Sequence, residues 1–201
     1  MKRLILAATL ALSSMTAAAN ELDAPAGFNW GISLSELKKQ SLVPEDCKHE
    51  DSTAVCKTTG APKPLSFADF YYLVFIEGSG LQKVSVVGNT IDSDSTGSEG
   101  KATFEKIETA LNGKYGDAPK SLKHVGLELY DEWDEFYQCL AYDGCGYWLS
   151  FWDIGEGALF MELKGLKRGS GYLNIVYESP DYSQLAAAIK QNRLNSDVDA
   201  L

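Results

Sequence analysis

The sequence predicts an α+β protein: a mostly antiparallel sheet of about five to six strands, with flanking helices and two local disulfides. Strand-like segments rich in aromatic and β-branched residues follow one another directly, separated by Gly-containing turns. Helical spacing of apolar residues is confined to a few segments between or after these strands. Runs of hairpins with flanking helices are typical of α+β folds rather than of parallel α/β sheets.

Residues 1–19 have the three parts of a cleavable export signal. Lys2 and Arg3 form a positive start, residues 4–12 are apolar, and a run of small residues ends at Ala17-Ala18-Ala19. The apolar stretch is shorter than the ~20 residues that a membrane-spanning helix needs. The first cysteine is Cys47, so we expect no lipid anchor and predict a mature chain that begins at Asn20 in the periplasm or outside the cell.

The rest of the chain, 20–201, is expected to form a single domain, which can divide into two packed halves near 92–100. Ser33-Leu-Ser-Glu36 has the spacing of a capping box and predicts a short helix to about Gln40. The remaining elements follow in order: a stapled loop or hairpin over 44–64, a hairpin over 67–77 and 81–91, a helix over 102–115, a helix or strand within 127–142, strands over 147–153, 158–166 and 171–178, and a C-terminal helix over 182–194.

Four cysteines remain after the signal, which in an exported chain indicates disulfides. Three pairings are possible. Cys47 with Cys56 and Cys139 with Cys145 need only short loops to close, and we therefore expect these two pairs.

The charge excludes some partners and favours others. The formal net charge is −10, and it becomes about −12 once Lys2 and Arg3 are removed. Acidic surfaces repel nucleic-acid phosphates and anionic lipid, so we expect neither nucleic acid nor a membrane surface as a partner. A basic protein partner would be attracted.

Residues 92–100 are the one candidate metal loop. Asp92 and Asp94 occupy the first and third positions of a calcium loop, but Thr103 stands where the bidentate Glu is needed. Asp92-Ser-Asp-Ser-Thr96 also matches the D-x-D-x-T motif of aspartyl phosphatases. Those enzymes need a parallel α/β sheet, which the hairpins predicted for this chain do not provide. A solvated connecting loop is the main interpretation, and we expect no metal and no cofactor.

Catalytic patterns are weak in this sequence. The acidic run Asp131, Glu132, Asp134 and Glu135 could supply the paired carboxylates of a hydrolase, although carboxylates alternating with aromatic residues more often mark the wet face of an amphipathic element. Only two histidines occur, His49 and His124, and there is no G-x-S-x-G elbow. We therefore lean toward a protein that is not an enzyme.

Aromatic density between residues 130 and 152 is the most distinctive feature, and the strands that follow continue the same pattern. Alternation along the strands places some of these aromatic side chains on an apolar face and the others on a second face that is both aromatic and polar. Such a mixed face is typical of glycan platforms and protein-binding patches. The candidate binding residues on this second face are Trp148, Trp152, Phe160, Tyr172 and Asn174. The alternative is a second core layer covered by the helix at 102–115 or 182–194. Of the two tryptophans we expect Trp152, which lies nearer the turn at 155–157, to be the exposed one.

These observations predict an exported, non-catalytic binding protein that engages a protein partner as an inhibitor or immunity-type protein. A glycan- or peptidoglycan-binding protein that uses the aromatic face is the second hypothesis. A hydrolase that uses Asp and Glu is the third.

Overall fold

The computed structural model describes residues 21–40, 42, 44–126 and 129–201. The predicted signal peptide and the predicted cleavage before Asn20 lie outside these residues. The helices are α1 (Leu34–Lys39), α2 (Ser98–Tyr115), α3 (Phe136–Ala141) and α4 (Tyr182–Asp199). The strands are β1 (Asp46–Glu50), β2 (Thr53–Thr58), β3 (Ala68–Ile76), β4 (Gly80–Gly88), β5 (Lys120–His124), β6 (Tyr147–Ile154), β7 (Gly157–Lys167) and β8 (Ser170–Glu178).

All eight strands belong to one antiparallel sheet in the order β1-β2-β3-β4-β8-β7-β6-β5. The α+β class is therefore confirmed, whereas the expected number of strands was wrong: the sheet has eight, not five to six. The strand at the β5 edge was missed because Lys120–His124 is exposed at every position and so shows no alternation of polar and apolar residues.

The sheet consists of two four-stranded meanders that follow the same order of elements. One helix, α1, precedes β1–β4, and another helix, α2, precedes β5–β8. The last strands of the two meanders, β4 and β8, pair with each other over five residue pairs. The hydrogen-bonded ladder is thus continuous from one edge to the other.

Helix α1 begins as the sequence predicts. The side chain of Ser33 accepts a hydrogen bond from the backbone N–H of Glu36, and the Glu36 carboxylate accepts one from the backbone N–H of Ser33. This reciprocal capping box satisfies two N–H groups that a helix start otherwise leaves unpaired. Leu37 then anchors the helix in the core.

One face of the sheet is covered, and the hydrophobic core lies beneath it. Phe104 and Leu111 of α2 pack there against alternate residues of the central strands, among them Leu159, Met161 and Ile175. Polar contacts hold α2 in place as well. Glu108 accepts hydrogen bonds from Ser150 and Lys123, both at 2.6 Å.

Helix α3 packs on the same face through Tyr137, which is fully buried. Glycines on three elements make room for it. A Cβ would come within 2.1 Å of the Tyr137 hydroxyl at Gly100, within 1.8 Å of its carbonyl at Gly165, and within 2.3 Å of its ring at Gly171. These glycines therefore allow α3 to approach α2, β7 and β8 closely.

Both expected disulfides are present. Cys47 of β1 bonds to Cys56 directly opposite on β2, and Cys139 of α3 bonds to Cys145 just before β6. Each closes a short loop, of 9 and 6 residues, and so stabilises local structure. None of the helices in the described part of the chain is long and apolar enough to cross a membrane.

Candidate functional site

The second face of the sheet is not covered by α1, α2 or α3, and it is the candidate functional site. We call it the open face. It consists of three parallel rows of residues that are paired directly from strand to strand, as antiparallel register dictates. The central row is Asp46, Lys57, Tyr72, Ser85, Val176, Phe160, Phe151 and Lys120; the second is Phe70, Val87, Asn174, Glu162, Leu149 and Leu122; the third is Lys48, Val55, Val74, Lys83, Glu178, Ala158 and Asp153.

The central row crosses all eight strands without a gap. Its middle is aromatic and aliphatic, and Tyr72 is 41% exposed. The Phe151 and Phe160 rings stack at 4.7 Å with a 30° tilt, and the Lys120 ammonium lies 5.6 Å from the Phe151 ring. Lysines near each end of the row and aromatic rings between them produce an amphipathic strip.

A chain of hydrogen bonds orders the centre of the open face. Ser85 donates to the Asn174 side chain at 2.7 Å, and the Asn174 amide donates to Glu162 at 3.0 Å. Lys164 lies two residues after Glu162 on β7, and its ammonium forms an ion pair with the Glu162 carboxylate at 3.4 Å. These side chains are held by neighbours on three strands and present fixed donors and acceptors.

Helix α4 lies at the margin of the open face and has no buried residue. Tyr182 packs 5.0 Å from the Lys83 ammonium, and Arg193 pairs with Glu50 and Asp51 at the β1–β2 turn. Burial alone would lower the pKa of Lys83, but its hydrogen bond and charge interaction with Glu178 outweigh that effect and raise the pKa. Lys83 is therefore a fixed positive charge on the face.

A small cleft of about 250 Å³ adjoins the open face where β6 and β7 meet the loop closed by the second disulfide. Tyr142 and Tyr147 supply exposed aromatic rings to its wall. Glu162 and Lys164 supply charged groups. The cleft extends the face with both apolar and hydrogen-bonding surface.

The structure divides the five predicted binding residues between the two faces. Phe160 and Asn174 belong to the rows of the open face, although Asn174 itself is largely buried, and Tyr172 lies on the same side of the sheet beyond the second row, where it pairs with Lys164. Trp148 and Trp152 lie on the covered face. Trp152 is only 2% exposed, so the expected exposure of this residue was wrong.

The register of β6 explains this correction. Ser150 pairs with Met161 and Trp152 with Leu159, so the even-numbered residues of β6 join the core. The Trp152 indole donates to the Asn112 side chain and to the Gly116 carbonyl, both at 3.1 Å, which ties β6 to the end of α2. Trp148 is partly buried and packs edge-on against Phe136 at 5.4 Å.

The candidate metal loop has a structural role. Asp94 is 5% exposed and accepts hydrogen bonds from the Gly100 N–H, the Tyr137 hydroxyl and the Ser98 hydroxyl. Burial raises the pKa of this carboxyl, but the hydrogen bonds outweigh burial and lower the pKa. Asp92 is exposed, and within the described residues no group of three or more His, Cys, Asp or Glu side chains could hold a metal ion.

Two residues of the acidic run form ion pairs. Arg168, in the β7–β8 turn, pairs with Asp134 at 3.3 Å and with Glu135 at 2.9 Å. Asp131 and Glu132 are exposed and directly precede Trp133, which is 75% exposed. Asp134 and Glu135 thus hold the loop before α3 against the β7–β8 turn.

Several residues of the open face are not among the predicted binding residues. Tyr72 and Phe70 belong to the predicted hairpin over 67–77 and 81–91, which contains none of the five predicted residues. Phe151 and Tyr147 alternate with Trp148 along β6 and therefore lie on the open side of the sheet. Alternation along β6 gave the two sets of side chains, and only the pairing with β7 shows which set faces solvent.

No family model, curated protein or solved structure matches the chain. The fold and the candidate site define the chain only as an eight-stranded antiparallel α+β protein with one face of its sheet open.

Proposed function

We propose that the chain is an exported, non-catalytic binding protein of the bacterial periplasm that engages a protein partner, as an inhibitor or immunity-type protein, through the open face. The observation that carries this proposal is the unbroken row of paired side chains across all eight strands. A predicted signal peptide and two disulfides support an oxidising compartment.

The dimensions of the open face suit a protein partner. Seven strand spacings of ~4.8 Å give a width of about 34 Å, and the two intervals of two residues between the three rows give a depth of about 14 Å. The area spanned by the rows is therefore about 480 Å², more than half of the ~800 Å² that each partner buries in a standard interface. A small ligand would occupy a fraction of it.

The charge distribution supports a division of roles within such an interface. The three rows contain four lysines and four carboxylates: Lys48, Lys57, Lys83, Lys120, Asp46, Asp153, Glu162 and Glu178. Because the face is balanced, the whole net charge of −10 lies outside it. Those surroundings would steer a basic partner, and the aromatic centre would form the desolvated contact.

The test compares open-face variants with a matched surface control. Tyr72→Ala and Phe160→Ala should each lower the binding free energy by about 2 kcal/mol, because central aromatic anchors dominate interface energy. Dissociation of the partner should then be about 30-fold faster. Trp133→Ala removes a larger exposed ring outside the face and should leave dissociation unchanged. The partner is first captured from periplasmic extract on the wild-type chain, and surface plasmon resonance then gives the rates.

Thermal melts of all three variants separate lost binding from lost folding. Folded Tyr72→Ala and Phe160→Ala proteins that release the partner at the wild-type rate would refute the open face as the binding surface. Faster dissociation of the Trp133→Ala protein alone would refute it as well.

A glycan-binding function is the second candidate, and the cleft beside the open face favours it. Tyr rings next to charged hydrogen-bonding groups suit a sugar, which has apolar faces and polar edges. Sedimentation with purified peptidoglycan tests this alternative. Co-sedimentation that Tyr147→Ala abolishes and Phe160→Ala preserves would favour it over protein binding.

A further inference from the structure

A larger cleft lies on the other side of the sheet, away from the open face. Its volume is about 550 Å³, within the range of small-molecule sites. The N-terminal segment from Asp23 to Trp30 forms one wall, and the end of α2 with Tyr115 forms another. Tyr177 of β8 lies among the lining residues, and Lys63 and Lys114 complete the charged part of the lining.

Tyr177 is the informative residue of this cleft. Its side chain is 8% exposed, and its hydroxyl makes no hydrogen bond to any residue in the described ranges. Burial and the nearby Tyr115 raise the pKa of Tyr177, so the group stays a neutral O–H donor. Among the described residues, the buried side-chain atoms without a hydrogen-bond partner are Trp148 Nε1 and Ser170 Oγ, so the Tyr177 oxygen is accessible from the cleft, where it can donate to water or to a ligand.

The cleft carries positive charge on an acidic protein. The lining residues include two lysines, Lys63 and Lys114, and one acidic residue, Asp23. Lys114 pairs with Asp23 at 3.8 Å and lies 4.6 Å from the Tyr115 ring centroid. Lysines outnumber carboxylates in this lining although the chain as a whole is acidic, which favours an anionic ligand over a cationic one.

The walls are held by contacts within the protein. The Trp30 indole donates to the Leu22 carbonyl at 2.7 Å, and the backbone N–H of Lys63 donates to the Ala26 carbonyl at 2.8 Å. Ala26 and Gly27 both have positive φ angles, 54° and 75°, which turn the segment over the Lys63 stem. The site is thus largely formed before any ligand enters it.

We propose that this cleft binds a small ligand that carries an oxyanion, a carboxylate or a phosphate, on an apolar or aromatic body. The Tyr177 hydroxyl and the Lys63 ammonium donate to the oxyanion, and the Trp30 and Tyr115 rings contact the body. Charge-assisted hydrogen bonds of this kind are shorter and stronger than neutral ones. This site is separate from the open face and does not depend on what binds there.

The test uses three probes that share a phenyl ring on the purified protein: 3-phenylpropionate, phenyl phosphate, and 3-phenylpropionamide as the neutral match of the carboxylate. Titration is followed by the NMR signal of the Trp30 indole. At least one anion should give a saturable shift, and the amide should not. The better anion distinguishes a carboxylate source from a phosphate source.

Two variants assign the binding to the cleft. Tyr177→Phe removes only the hydroxyl and should weaken binding of the anion by about 10-fold or more, the effect of losing a hydrogen bond to a charged group. Tyr130→Phe makes the same change in the segment between β5 and α3, outside the cleft and the open face, and should bind as the wild type does. The proposal is overturned if neither anion saturates, if the amide binds equally well, or if Tyr177→Phe keeps wild-type affinity.

Discussion

Asp94 shows how a residue that looks like a ligand in the sequence can be a structural acceptor. Its carboxylate receives the first N–H groups of α2 and the hydroxyl of Tyr137, which joins the helix start to α3. Carboxylates at helix N-termini are favoured by the helix dipole as well as by these donors. The Asp-rich loop at 92–97 therefore contributes to the fold through one residue, while Asp92 stays in solvent.

Replacing Asp94 by Asn should destabilise the protein by about 1–3 kcal/mol at neutral pH, because an amide nitrogen cannot accept from the Gly100 N–H. The folded-state pKa of Asp94 is lowered from its ordinary value of 3.8. The carboxylate therefore stabilises the fold above that value, and this contribution is lost as the pH falls through the folded-state pKa. Urea unfolding at pH 7 and at several values below 4 should show the gap between wild type and Asp94→Asn narrowing in acid. A gap of constant size would contradict this account.

The elements were predictable where side chains alternate or repeat, and unpredictable where they do not. The capping box at Ser33 and the hairpin of β3 and β4 follow from local patterns that the structure confirms. The edge strand β5 has no such pattern, because it is exposed at all five positions. Charged edge strands protect a sheet from further pairing, and this protection removes the apolar signal that marks a strand.

Helix α2 depends on Trp152, and this contact predicts the outcome of two substitutions. Trp152→Ala should cost about 3–5 kcal/mol of unfolding free energy, since it leaves a cavity between β6 and α2. Trp152→Phe keeps an aromatic ring but loses the indole N–H that donates to Asn112 and Gly116. Loss of these hydrogen bonds should lower the unfolding free energy by about 1 kcal/mol, and the smaller side chain should lower it further. Equilibrium unfolding in urea measures both.

Trp133→Ala is the matched control for these substitutions, because Trp133 is 75% exposed and surface changes of this kind stay within about 0.5 kcal/mol. An unfolding free energy for Trp152→Ala that lies within this same range would show that the indole is not an anchor of α2.

At the scale of the whole molecule, the candidate site arises from pairing between strands that are far apart in sequence. Tyr72 of β3 and Phe151 of β6 belong to the same row because β4 and β8 join the two meanders. No local pattern encodes that pairing, which explains why the sequence pattern placed Phe160, Tyr172 and Asn174 on the correct side of the sheet but Trp148 and Trp152 on the wrong one. The two faces of each strand are readable locally, whereas the choice of the face that receives the helices is a property of the assembled sheet.

The continuous sheet also predicts how the protein unfolds. The core cluster runs from Phe28 and Leu73 in the first half to Trp152 and Leu163 in the second, and β4 pairs with β8 over five positions. Residues 20–201 should therefore unfold in one cooperative transition rather than as two halves divided near 92–100. The unfolding curve followed by far-UV circular dichroism should coincide with the curve followed by tryptophan fluorescence in each of two variants. One retains Trp30 alone and reports on the first half, and the other retains Trp152 alone and reports on the second. Val86→Asp, which places a charge in the β4 core position opposite Ile175, should lower the midpoint of both reporters equally. If the fluorescence midpoint of either variant differs from the circular-dichroism midpoint of that same variant, the β4–β8 pairing does not couple the halves, and a binding surface that spans both would have to form from units that open independently.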